Sequence, residues 1–164
     1  MAKKGGGKQQ DGKGDGIQVV ARNRRARHEF DLLEKVEAGI VLTGTEVKSL
    51  RGGKASLEEA YASIDRDEVW IYGVDIPEYL QANRMNHTPK RPRKLLLHRR
   101  EIERLKTKAA EKGLTIVPLQ LYFKKGLAKV EISIARGRKL HDKRDAIKAR
   151  ETKRDIDRAL RDRS

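Results

Sequence analysis

The side chains that could do chemistry in this chain are few and scattered. Histidines stand at 28, 87, 98 and 141, no two at a metal-ligand spacing, and there is no cysteine to join them. The missing cysteines also exclude disulfides and thiolate nucleophiles, and they fit a reducing cytosol. Gly52-Gly53-Lys54-Ala55 invites a phosphate-loop reading and fails it. The first glycine of that motif would fall on Lys48, and its Ser or Thr on Ala55. There is no G-x-S-x-G, and none of serines 49, 56, 63, 133 and 164 has a histidine within four residues. Glu58-Glu59 and Asp65/Asp67/Glu68 sit where turns and caps are expected, so solvated charge explains them better than a metal-dependent nuclease does. No metal, no cofactor and no catalysis are expected.

Cations are the chemistry this chain has in quantity. Lys plus Arg number 39 against 24 Asp plus Glu, a net charge of +15. Residues 1–28 and residues 136–164 each carry +6, while the 107 residues between them carry only +3. That distribution describes an ordered core with basic arms, and such arms displace counterions from phosphate backbones. Nucleic acid is the expected partner class. His28 and His141 each adjoin a basic run, where a ring could stack on a base. His87 and His98 read as structural. Aromatic residues make up only 4% of the chain, too few for broad base stacking, so a folded RNA read through shape and phosphates fits better.

These residues need elements to hold them. The leader, 1–21, opens with six glycines in sixteen residues and no large apolar side chain beyond Met1. It reads as disordered and lacks the apolar run of a secretory signal. No stretch approaches the 18 or so apolar residues of a membrane helix, so no membrane partner is expected. The centre, 22–136, reads mostly as strands. Tyr61–Asp65 and Val69–Tyr72 flank a turn at Arg66-Asp67-Glu68. Leu119, Leu121 and Phe123 alternate with Gln120 and Tyr122. After Lys124-Lys125-Gly126, buried Ala128, Val130, Ile132 and Ile134 alternate with wet Lys129, Glu131 and Ser133. Phe30–Leu42 suits a bent strand. A helix is expected over His98–Lys112, stopped by Gly113, and a shorter one over Thr45–Arg51 with Thr43-x-x-Glu46 available for capping. The leucines of Arg91-Pro92-Arg93-Lys94-Leu95-Leu96-Leu97 read as core. Short strands with an inserted helix suggest a mainly β barrel of the oligonucleotide-binding kind. The tail, 137–164, has too little apolar surface to dock. Its pairs Asp145–Lys148, Glu151–Arg154, Asp155–Arg158 and Asp157–Arg161 contribute only about 0.2–0.5 kcal/mol each. It should be mobile alone and helical once supported.

Several strings together are more specific than any one. Asn23-Arg24-Arg25-Ala26-x-His28, Glu37-Ala38-Gly39-Ile40, Gly44–Arg51 with Lys54-Ala55, Arg91-x-Arg93–His98, Leu114-Thr115-x-Val117-Pro118-Leu119, Tyr122-Phe123-Lys124, Ala128-Lys129-Val130 and Asp142-Lys143-Arg144 follow one another in order. From about Arg22 to Arg154 the chain resembles the transfer-messenger-RNA-binding (small protein B, SsrA-binding) family. Thr88 before Pro89, where an acid is common, and Arg138, where a lysine is common, are mild departures.

The resemblance implies a six-stranded antiparallel barrel with short flanking helices, and a basic tail that is helical when bound. It implies a bacterial, cytoplasmic adaptor that holds the tRNA-like part of transfer-messenger RNA (tmRNA) and brings it to stalled ribosomes. The tail would occupy the empty mRNA channel and decoding centre of the small subunit. Glu37, Leu96 and Lys129 match family RNA-binding positions. Leu96 is expected in the core, shaping the surface, while Glu37 either contacts RNA or bridges a neighbouring base. The barrel's candidate RNA contacts are completed by Arg22, Asn23, Arg24, Arg25, Arg27, His28, Lys48, Arg51, Lys54, Arg93 and Lys94. On the tail, Lys139, His141, Asp142, Lys143, Arg144, Lys148 and Arg150 are the candidate ribosome contacts. A generic barrel protein for ribosomal or single-stranded RNA is the alternative, a nuclease a remoter one. DNA is not an expected partner.

Overall fold

The computed structural model describes residues 16–82, 86–138 and 140–162. Seven strands, β1 (Ile17–Arg22), β2 (Phe30–Ile40), β3 (Tyr61–Asp65), β4 (Glu68–Tyr72), β5 (Arg93–Leu96), β6 (Leu114–Lys124) and β7 (Leu127–Gly137), form one antiparallel sheet. Four helices accompany them: α1 (Arg24–Glu29), α2 (Gly44–Arg51), α3 (Arg99–Ala109) and α4 (Leu140–Asp162).

The pairings close on themselves. β6 pairs β3, β3 pairs β4, β4 pairs β5, β5 pairs β2, β2 pairs β7, and β7 returns to β6. That ring is the expected six-stranded barrel. Closure leaves no open edge except where β1 adds itself, pairing Ile17–Arg22 with Gln120–Lys124 of β6. Residues 17–21, expected in the leader, are therefore a seventh strand, because Ile17, Val19 and Ala21 alternate beside a free stretch of β6. The rest of the leader's expected disorder lies outside the described residues.

Two tight turns fix the hairpin registers. Asp65 pairs Glu68 around Arg66 and Asp67, at φ 49° and 62°. Lys124 pairs Leu127 around Lys125 and Gly126, at φ 50° and 78°. Positive φ at both central residues gives a turn whose twist matches that of its strands. β2 bends at a register shift between Leu32 and Glu34, which lets a single strand serve both β7 and β5.

Inside the ring, Ile71, Leu95, Leu121, Val130, Ile132 and Ile134 are buried, and Leu50 of α2 and Leu105 of α3 join the same cluster. Each such side chain contributes roughly 1.5–3 kcal/mol through area removed from water. A second cluster lies outside the wall: Ala26 of α1 packs on Val117, Leu119 and Ala135. Ser133, expected on the wet face, is therefore fully buried. Asn23 ties this layer down. Its side chain accepts from Ala26 N at 3.1 Å and donates to the carbonyls of Leu57 at 3.1 Å and Pro118 at 2.9 Å.

The tail takes the helical form expected of it once supported. Leu140–Asp162 is one helix, with every side chain from 147 to 162 exposed. No Gly or Pro interrupts it, and Thr152 and Arg161 donate to carbonyls one turn back, at 2.9 and 3.4 Å.

Candidate nucleic-acid interface

Three expected RNA contacts meet on one patch of the barrel wall. Leu96 of β5 stands opposite Gly39 of β2, Gly39 opposite Lys129 of β7, and Lys129 opposite Tyr122 of β6. Period-two alternation puts Glu37 on the same outward face as Gly39. Glu37, Gly39, Leu96 and Lys129 line a groove of about 720 Å³, whose other wall is the start of α3 with His98 and Arg104.

Glu37 has a clear local job. The Tyr122 hydroxyl donates to its Oε2, and Lys124 Nζ lies 3.6 Å from the same oxygen. The Tyr122 bond, reinforced by Lys124 and Lys129 against the cost of partial burial, holds the Glu37 carboxyl below its usual range. Burial and the Glu37 bond push the Tyr122 phenol up. Glu37 is thus the expected bridge to a neighbouring base, and it stays ionised.

Leu96 overturns its own expectation. It is 54% exposed, whereas Leu95 is buried. Consecutive residues of a strand point to opposite faces, so a run of leucines cannot all be core.

A second groove, about 600 Å³, lies beside α1 and is lined by Arg22, Arg24, Arg27 and His28 with Gln120 and Arg150. All five of its basic side chains are exposed. Arg25 turns away from this cluster and pairs with Glu29 at 2.7 Å. Asn23 is buried, with its amide committed to the backbone bonds above, so it holds the arginines in place and does not present itself to RNA.

Arg93 is the largest correction. It is 0% exposed and ion-paired to Glu46, itself 0% exposed, while Arg91 pairs with the other side of the same carboxylate. Arg93 also donates to the carbonyls of Val74 at 2.8 Å and Pro89 at 2.9 Å, fastening the segment between β4 and β5. Burial raises the Glu46 pKa, but bonds from Arg91, the Thr43 backbone and Arg93 outweigh it and leave the carboxyl below its usual range. The cap expectation was half the truth. Glu46 accepts from Thr43 N at 2.8 Å and also anchors two arginines.

The remaining cations are spread. Lys48 Nζ lies 5.7 Å from the Tyr79 ring centre, and the Arg51 guanidinium 5.7 Å from that of Phe123. Lys54 is exposed in the loop after α2. Lys94 is paired with Glu68 at 3.2 Å. His87 is structural as expected, its ring between Thr45 Oγ1 at 2.9 Å and the Ile76 carbonyl at 2.8 Å. His98 stands at the N-cap position of α3 without a side-chain cap bond, and it lines the rim of the first groove. Lys148 and Arg150 are exposed on α4; His141, Asp142, Lys143 and Arg144 fall within its backbone, and Lys139 lies outside the described residues. Among the described residues no cluster of His, Asp or Glu could hold a metal, and no helix is long and apolar enough to cross a membrane.

The sequence model of the family described as SmpB protein matches residues 20–162. The chain belongs to the SmpB family. A relative from Thermobifida fusca, named SsrA-binding protein, is 56% identical over 161 residues, 98% of each chain. Another of that name, from Pelotomaculum thermopropionicum, is 52% identical over 147 residues, 90% of this chain and 96% of its own. Among solved structures, one described as "tmRNA-SmpB: a journey to the center of the bacterial ribosome" superposes with a TM-score of 0.65 at 45% identity. It covers 77% of this chain and 93% of that one. The resemblance read from the motifs therefore stands. In this SmpB-family protein, sequence reasoning missed the groove residues His98 and Arg104 and the partners of Glu37. Their signal lay in strand register and not in any local motif.

Proposed function

We propose that this SmpB-family chain binds tmRNA and serves trans-translation on the ribosome as a non-catalytic adaptor in the bacterial cytoplasm. Family membership across nearly the whole chain carries the reading. The groove between β5, β2 and β7 takes the tRNA-like domain, with Lys129 offering a cation and Leu96 an aliphatic contact. Glu37 acts on the RNA through Tyr122 and Lys124, since a carboxylate facing phosphates repels them. Arg22, Arg24, Arg27 and His28 supply a second basic face. The tail, with His141, Asp142, Lys143, Arg144, Lys148 and Arg150, reaches the decoding centre and the empty mRNA channel.

The test mixes the protein with tmRNA, bulk tRNA and unstructured RNA, with and without Mg²⁺. Tight, selective binding of intact tmRNA is expected. Indifferent binding would point to a generic RNA protein, and Mg²⁺-dependent cleavage to a nuclease.

A further inference from the structure

Gly39 occupies the floor of the groove, and its backbone does not explain why a glycine is there. Its φ lies outside the left-handed region, so any residue could adopt this conformation. Space explains it instead. A Cβ at Gly39 would lie 3.2 Å from Leu96 Cβ, 3.6 Å from Leu96 Cδ1 and 3.8 Å from Leu96 Cγ. The Leu96 side chain therefore lies over the bare Gly39 backbone, more than half exposed. On the other side stands Lys129, whose ammonium acts on Glu37 through its charge but forms no side-chain hydrogen bond or ion pair among the described residues. Lys124 and Tyr122, its neighbours on β6, are already spent on Glu37.

An aliphatic wall, a bare backbone floor and one cation without a direct side-chain bond make a shape with a matching chemistry. We infer that Gly39 is a specificity-determining position, leaving a notch between Leu96 and Lys129 in which one sugar–phosphate unit of the RNA seats. The ribose packs on Leu96 and the Gly39 backbone, and the phosphate meets Lys129. Recognition of this kind reads backbone shape and not base identity. The inference rests on the reading that this groove faces tmRNA.

The experiment measures tmRNA affinity and thermal melting for Gly39→Ala, Leu96→Phe, Leu96→Ala and Lys129→Ala in the full chain. Gly39→Ala fills the notch from its floor and Leu96→Phe from its wall, and each should weaken binding roughly ten-fold or more while the barrel still melts cooperatively. Lys129→Ala should weaken binding and flatten the log–log salt slope by about 0.7–0.9, one phosphate's share. Wild-type affinity in both filling variants, with Lys129→Ala impaired, would overturn the notch and leave the groove reading intact. Wild-type affinity in Lys129→Ala and Leu96→Ala as well would overturn the groove reading itself. Should Gly39→Ala fail to fold, Leu96→Phe decides alone, because its side chain starts from an exposed position.

Discussion

Glu46 shows how one residue can matter to the fold more than any single surface cation. Its carboxylate is buried and satisfied by Arg91, Arg93 and the Thr43 amide, so removing its charge leaves a buried guanidinium without a counterion. Glu46→Gln should therefore destabilise the barrel by about 3–5 kcal/mol, read from the urea midpoint. A shift typical of a surface site would show that water reaches Arg93. The same group sets a pH limit. Its folded pKa lies below the usual 4.5, so the native state binds this proton less readily than the unfolded chain. The stabilisation is complete above about pH 4.5 and is lost as pH falls through the lower folded value. Stability measured downward from pH 6 should decline in the wild type, and more shallowly in Glu46→Gln. None of this was legible locally. Arg93 sits in a basic run that reads as surface, and its partner is 47 residues away. Leu96 failed in the opposite sense: the alternation of the strand settles its side, but a triple leucine hides where that alternation starts.

The elements were legible in proportion to how local their causes are. The β6–β7 hairpin follows from alternation and the Lys125-Gly126 turn, and α3 from its apolar spacing. The α1 helix did not, because six residues with four charged side chains show no period. What makes it a helix is Asn23, which caps it and also holds two distant carbonyls. β6 changes partner near Pro118, from β3 at Ile116 to β1 at Gln120, and there the Asn23 amide donates to the Pro118 carbonyl. Asn23→Asp separates the two jobs. The carboxylate keeps the cap but turns an acceptor toward the Leu57 and Pro118 carbonyls in a buried site. We expect Asn23→Asp to destabilise by about 2–4 kcal/mol in thermal or chemical unfolding, more than Asn23→Ser, although aspartate and serine cap an isolated helix about equally well. Equal effects would mean that an acceptor facing the Leu57 and Pro118 carbonyls carries no penalty. RNA affinity should fall with it, since α1 carries Arg24 and Arg27 beside the second groove.

At the scale of the whole molecule, the proposed function assigns binding and rescue to different parts. Basic side chains lie on two faces of the barrel and along an exposed helix, so affinity for RNA should fall steeply with salt. Replacing Arg22, Arg24 and Arg27 by Gln should flatten the log–log slope by about 0.7–0.9 for each phosphate no longer neutralised; an unchanged slope would remove that face from the interface. The tail calls for a different measurement. From 147 to 162 every α4 side chain is exposed, so deleting that stretch takes nothing from the barrel core. A helix without a packed face is marginal in water, and its acid–base pairs weaken with salt. A peptide of residues 138–164 should therefore show partial helicity by circular dichroism and melt gradually. In a channel walled by ribosomal RNA, phosphates would neutralise Lys148, Arg150, Lys153 and Arg154, and the helix would gain the support it lacks alone. Truncation after Gly137 should leave the barrel's melting transition in place and hold affinity for isolated tmRNA within a few-fold. Peptide tagging on stalled ribosomes should be abolished, and alanine replacement of Asp142-Lys143-Arg144 should come close to that effect while preserving helix propensity. Full-rate tagging by the truncated protein would reduce α4 to an accessory polycation and return the ribosomal step to the barrel.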